Sequence, residues 1–162
     1  MSALPDHGII PALWTPTDAA GRVIESALRA QLDRVAAAGV HGLMVLGSTG
    51  EFPLLDRPER QRVLELVKQH APTLPAMAHV SDIRLPAVIE LGRHAKSLGY
   101  EALSLLPPWY FAVAQDDIVE FYVRAGGACG LPLILYNYPE RTGNRLALET
   151  IATVADRVHV VG

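Results

Sequence analysis

The sequence predicts an α/β protein built around a parallel sheet. Three observations lead there. Six short runs, at residues 8–14, 42–46, 76–80, 102–106, 131–136 and 158–161, are apolar without alternation, as strands buried on both faces are. Longer segments of helical period fill the intervals. The strand starts, at 8, 42, 76, 102, 131 and 158, are spaced by 34, 34, 26, 29 and 27 residues, the size of a βα step.

Each element has its own signals. After the first strand run, Ser26 is placed to cap a helix that carries Leu28, Leu32, Val35 and Ala36 on one stripe, and Gly39 stops it. The second strand run follows. Asp56 with Glu59 three residues on is a capping-box pattern, with Pro58 in the first turn. After the third strand run, Leu85, Val88, Ile89 and Ala95 mark a helix that Gly99 ends. After the fourth, Asp116 or Asp117 opens a helix with Ile118, Phe121, Tyr122 and Ala125 inward and Gly130 at its end. A fifth helix is expected from about Leu146 to Ala155, before the last strand run.

The 162 residues fit one domain, with no linker or low-complexity segment. Half of them are apolar and 19% are charged, a globular composition. A net charge of −3 gives no footprint for nucleic acid, and no basic or long apolar run suggests a membrane. The single cysteine, Cys129, excludes an internal disulfide. Without a basic, apolar leader, a cytoplasmic protein is expected.

Polar residues collect where the chain leaves the strands: Thr15 and Thr17, residues 47–51, Ser81 and Asp82, residues 107–110 and residues 137–143. In parallel α/β folds that end of the sheet holds the active site. A closed eight-stranded barrel and an open doubly wound sheet both satisfy the pattern.

Gly47-Ser48-Thr49-Gly50-Glu51 follows a strand and precedes a capped helix. Its N–H groups and hydroxyls suit a carboxylate or phosphate. A connecting turn in which the hydroxyls bond their own backbone reads equally well. At the fifth strand's end, Tyr136 offers a phenol for proton transfer, and Arg141 offers a bidentate carboxylate site. A buried core tyrosine and a solvated arginine are the plainer alternatives. The six histidines show no metal-ligand spacing. His79 alone is kept as a pocket residue, against a structural role.

Together, Gly47-Ser48-Thr49-Gly50-Glu51 and Tyr136-Asn137-x-Pro139-x-Arg141-Thr142-Gly143 resemble the dihydrodipicolinate synthase and N-acetylneuraminate lyase family. Thr15-Pro16 and Pro108-Trp109-Tyr110 are similar to further segments of that family, so the resemblance runs the length of the chain. It implies a TIM (β/α)8 barrel, of which this chain supplies about the first six strands and five helices. It also implies chemistry on pyruvate or another 2-oxo acid through a lysine Schiff base, without metal or cofactor. Tyr136 would be the acid/base, and Ser48 and Tyr110 would relay its proton. Ser48, Thr49 and Gly50 would hold the 2-oxo acid's carboxylate, and Arg141 that of the second substrate. The tyrosine matching Tyr110 reaches the partner subunit's site in the family, which implies a homodimer or homotetramer.

The resemblance also has departures. Ser48 stands where the synthase branch has threonine, and the feedback-lysine positions appear as Ile83 and Ala87. The only lysines, Lys68 and Lys96, fall on helical segments. The family's nucleophile is therefore expected just beyond Gly162, making residues 1–162 the N-terminal portion of one barrel domain. A dihydrodipicolinate synthase-like lyase is the leading expectation. A 2-keto-3-deoxy sugar-acid aldolase or dehydratase, or an N-acetylneuraminate lyase-like enzyme, is the alternative. A non-catalytic 2-oxo-acid-binding module is the rival from another class.

Overall fold

The computed structural model describes Leu4, Pro5 and residues 7–162. The chain divides into two compact units. One holds the residues up to His79 with Ser97–Glu101, and the other holds Val80–Lys96 with Ala102–Gly162.

The first unit contains α1 (Glu25–Ala37), β1 (Leu43–Val45), α2 (Arg57–His70) and β2 (Ala76–His79). The two strands pair in parallel, with Leu43 opposite Ala76 and Val45 opposite Ala78. All four residues of β2 are buried, as the unbroken apolar run requires. Leu28 and Leu32, one turn apart on α1, are buried, and Val63, Leu64 and Val67 line the inner face of α2. α1 starts two residues earlier than a cap at Ser26 implies. Its N-cap is Ile24, without a side-chain bond, and Ser26 lies inside the helix. Asp56 does cap α2, accepting from the Glu59 N–H at 2.9 Å. Glu59 does not complete the reciprocal half of the box. Its carboxylate accepts instead from the Val23 N–H at 2.7 Å, tying α2 to the segment before α1.

The second unit contains α3 (Leu85–Ser97), β3 (Ala102–Leu105), α4 (Gln115–Cys129), β4 (Leu133–Leu135), a helical turn α5 (Pro139–Thr142) and α6 (Leu148–Arg157). β3 and β4 pair in parallel, Leu103 with Leu133 and Leu105 with Leu135. Gly130 closes α4 at φ +64, a left-handed position that glycine takes without strain. The buried Tyr122 hydroxyl donates to the Leu105 carbonyl at 2.9 Å, pinning α4 to the end of β3. Cys129 is buried and its thiol is pushed up to about 11 by desolvation, which makes it unreactive.

Six strands were expected, and the described residues form four. The outer two runs are extended but join their neighbours through single parallel bridges, Ala12 to Met44 and Leu133 to Val160. Along the first run, Leu13 donates to the Met44 carbonyl at 2.9 Å and Met44 donates to the Pro11 carbonyl at 3.0 Å. Pro11 has no N–H to continue the ladder. Along the last, Val161 donates to Leu133 at 2.9 Å and Leu133 to His159 at 2.8 Å. Five helices were expected. The sixth α-helical segment is α5, too short to show a period.

Candidate functional site

In the first unit the site residues follow β1. Leu46, buried, turns the chain at φ +63, and Ser48–Gly50 form a 3-10 turn. Gly50 donates to the Gly47 carbonyl at 2.9 Å and Glu51 to the Ser48 carbonyl at 3.1 Å. A side chain at Gly50 would sit 3.0 Å from the Leu13 carbonyl oxygen and 3.2 Å from Thr15 Oγ1. Only glycine lets the turn lie this close to the Leu13–Thr15 backbone. Gly50 is buried, while Ser48 and Thr49 face outward. Glu51 follows at φ +52, a further left-handed residue, and leads into a second 3-10 turn, Phe52–Leu54. Such conformations in non-glycine residues concentrate at functional loops.

His79 ends β2 and is fully buried, its ring edge-on to Phe52 at 4.6 Å. The Arg60 guanidinium lies over the other contact of that ring, 5.4 Å from the Phe52 centroid, and donates to the His79 carbonyl at 3.3 Å. His79 is thus a core residue. Burial first, and the Arg60 charge second, push its pKa from 6.5 down to about 3. An unfolded chain takes up a proton near pH 6.5 that the folded chain refuses until about pH 3. Stability contributed by neutral His79 is therefore complete above pH 6.5 and is lost as pH falls toward 3, by up to about 1.4 kcal/mol per unit. Urea midpoints at pH 7, 5 and 4 should fall steeply for the wild type and less steeply for His79→Gln.

In the second unit the site residues follow β4. Tyr136 donates its N–H to the Leu105 carbonyl at 2.9 Å, extending the β3–β4 register by one step. Its ring stacks on Tyr138, with centroids 5.8 Å apart and planes at 16°. Both rings are half-buried and Arg141 is exposed. A hydrogen bond and the charge interaction with the Tyr138 side chain raise the pKa of Arg141, which places the guanidinium beside that phenol. One short loop thus brings together two phenols and a cation, a set suited to moving protons beside a bound carboxylate. Asn137 braces the loop from outside, accepting from the Leu146 N–H at 3.1 Å.

Tyr110 stands at φ +79 in the segment between β3 and α4, 83% exposed. Phe111 packs edge-on to it at 4.8 Å and is 69% exposed. The sequence reading missed Tyr138. Its signal was its place two residues after Tyr136, since alternate residues of an extended segment share a face. It also missed Asn144, buried and bonded to the Tyr110 segment. Among the described residues no helix is long and apolar enough to cross a membrane.

Residues 5–162 match the Dihydrodipicolinate synthetase family. The chain is 33% identical over 157 residues to the 4-hydroxy-tetrahydrodipicolinate synthase of Acidiphilium cryptum, covering 96% of this chain and 54% of that protein. Among solved structures, it is similar to a prophage protein of the dihydrodipicolinic acid synthase family from E. coli K12 in complex with pyruvate. That likeness has a TM-score of 0.88 and 31% identity, over 92% of this chain and 50% of that one. It is also similar to a catalytic lysine mutant of the sialic acid aldolase of Ruminococcus gnavus, with a TM-score of 0.88 and 28% identity, over 93% and 50% of the two chains. The chain spans about half the length of the curated relatives it matches. The likeness decides the architecture in favour of the βα barrel and against the open doubly wound sheet. With the two strand-end motifs in place and a match running from residue 5 to residue 162, the chain belongs to the dihydrodipicolinate synthetase family.

Proposed function

We propose that the protein is a lyase that makes or breaks a carbon–carbon bond of pyruvate or another 2-oxo acid through a lysine Schiff base. The observation that carries this reading is the Tyr136–Tyr138–Arg141 loop after β4, which sets two stacked phenols and a cation within six residues. An amine adds to the ketone carbon and water leaves, giving an iminium that acidifies the neighbouring carbon. Loss of that carbon's proton gives an enamine, which adds to the carbonyl of a second substrate. Each step needs a proton donor or acceptor within hydrogen-bond reach. In this reading Tyr136 serves the Schiff base, with Ser48 and Tyr110 relaying the proton. The turn Ser48–Gly50 takes the 2-oxo carboxylate, and Arg141 takes the second substrate's carboxylate. These shared roles rest on family membership. Lys68, on α2, is held in an ion pair with Glu101, and Lys96 lies in the last turn of α3, so neither lysine stands with these strand-end residues. The exposed Tyr110 and Phe111 support assembly as a homodimer or homotetramer, and a cytoplasmic setting suits the substrates.

Borohydride added to the polypeptide as expressed from its gene, with pyruvate present, should trap a covalent adduct visible by intact mass. Pyruvate binding without an adduct would return the protein to the non-catalytic class. For the synthase reading, Arg141→Ala should raise KM for aspartate semialdehyde by about 10²-fold, the loss of a charge-assisted bidentate contact of about 1.5–3 kcal/mol. Ser48 in the position of the synthase threonine, and the sialic acid aldolase likeness, favour the second reading, a sugar-acid aldolase or dehydratase. Retro-aldol turnover of 2-keto-3-deoxy sugar acids, unaffected by Arg141→Ala, would select it.

A further inference from the structure

Asn144 is buried at 5% exposure, and every polar atom of its side chain is spent on one short stretch of backbone upstream. Its Nδ2 donates to the Pro108 carbonyl and to the Phe111 carbonyl, both at 2.8 Å. Its Oδ1 accepts from the Val113 N–H at 3.0 Å. These three bonds bracket Tyr110, one before it and two after it. Tyr110 is held at φ +79, in the left-handed region that a tyrosine adopts only when its surroundings impose it. Its own side chain is too exposed to supply that constraint.

Asn144 is itself held from the other direction. Its N–H donates to Thr142 Oγ1 at 3.2 Å, and the Thr142 hydroxyl lies 2.8 Å from the Asn144 carbonyl and 3.1 Å from that of Tyr138. Gly143, at φ +72, makes the turn that aims the side chain. Position 144 thus begins where the Tyr136–Arg141 loop ends. One carboxamide ties that loop to the segment that carries Tyr110.

We propose that Asn144 is a positioning residue that acts through Tyr110, fixing the backbone from Pro108 to Val113 so that the phenol is presented for proton transfer. The proposal rests on the Schiff-base reading above for the role of Tyr110, and on the three bonds for the role of Asn144. Asparagine suits the task because it donates twice and accepts once from a single planar group. An aspartate keeps the acceptor and loses the donors. A glutamine adds a methylene that the buried position has no room for.

The test uses the polypeptide as expressed from its gene. Asn144→Ala should lower kcat by about 10²-fold, the penalty for a misplaced catalytic group, with KM for pyruvate and the borohydride-trapped adduct retained. Added to Tyr110→Phe, it should lower kcat no further, because the group it positions is already gone. Asn144→Asp should lose at least as much while ionised, because its carboxylate then faces two carbonyl oxygens, and should recover toward wild type as acid protonates the carboxyl and restores one donor. Hydrogen exchange at the Val113 amide should speed up in Asn144→Ala whether or not the protein turns over. An unchanged kcat, an effect that multiplies with Tyr110→Phe, a rise in KM alone, or unchanged Val113 exchange would each overturn the proposal. Failure of the wild type itself to trap pyruvate, with Val113 exchange altered as expected, would refute the Schiff-base reading and leave Asn144 as a brace for the segment.

Discussion

Glu101→Ala is expected to cost about 3–5 kcal/mol of folding stability, the loss seen when one partner of a buried ion pair is removed. Lys68 Nζ lies 3.0 and 3.2 Å from the two Glu101 oxygens, and the side chains are only 9% and 11% exposed. Glu101 Oε2 also accepts from the N–H of Ala76, the first residue of β2, at 2.8 Å. The ammonium sits 5.0 Å from the centre of the Tyr100 ring, whose buried hydroxyl donates to the Leu64 carbonyl at 3.1 Å. Alanine at 101 leaves a cation in a desolvated place and a strand N–H without its acceptor. Both are penalties of desolvation. Replacing the pair together, Lys68→Met with Glu101→Leu, removes the charge and should stay within about 1–2 kcal/mol of wild type, since an apolar pair of like volume is often neutral or better. Urea denaturation of the three proteins checks this. Equal losses in the single and double variants would place the energy in packing and the Ala76 bond, and not in the ion pair.

The sequence revealed what short-range chemistry decides, and hid what distant backbone decides. Asp56 was recognisable as a cap because its partner, Glu59, lies three residues away. The start of α6 was misplaced by two residues because its cap comes from α4. Gln115 accepts from the Ala147 N–H at 3.1 Å and donates to the Arg145 carbonyl at 2.9 Å, about thirty residues along the chain. The outer strand runs were visible as apolar segments, but pairing length depends on where a donor is missing, as at Pro11. His79 occupied a strand end that fits either a pocket or a core. Phe52 and Arg60, from a different turn and a different helix, make it core. Within the candidate site, Tyr136, Arg141 and the Ser48–Gly50 turn were legible because their spacing carries the motif. Asn144 was not, because its partners are carbonyls and an N–H, groups that every residue has.

Tyr136→Phe should lower kcat by about 10²- to 10⁴-fold, the usual worth of a positioned acid/base, and leave folding stability within about 1 kcal/mol. The substitution is selective for physical reasons. Phenylalanine keeps the ring that stacks on Tyr138 and the backbone N–H that bonds to Leu105, so packing and register survive. Only the hydroxyl goes. Proton transfers at the Schiff base should then limit turnover, with the adduct forming more slowly and pyruvate still binding. Tyr138→Phe provides the contrast. It keeps the stack and the Tyr136 hydroxyl, but removes the phenol oxygen that interacts with the Arg141 guanidinium. Its effect should fall on KM for the carboxylate-bearing second substrate, with kcat nearly unchanged. Steady-state kinetics of the two variants, with near-ultraviolet circular dichroism to check the stacked pair, separate the roles. A Tyr136→Phe enzyme with wild-type kcat would remove the phenol from the chemistry and send the search for the acid/base elsewhere. Loss of kcat in both variants alike would make the stacked pair a single structural unit, and not a proton donor beside an anion clamp.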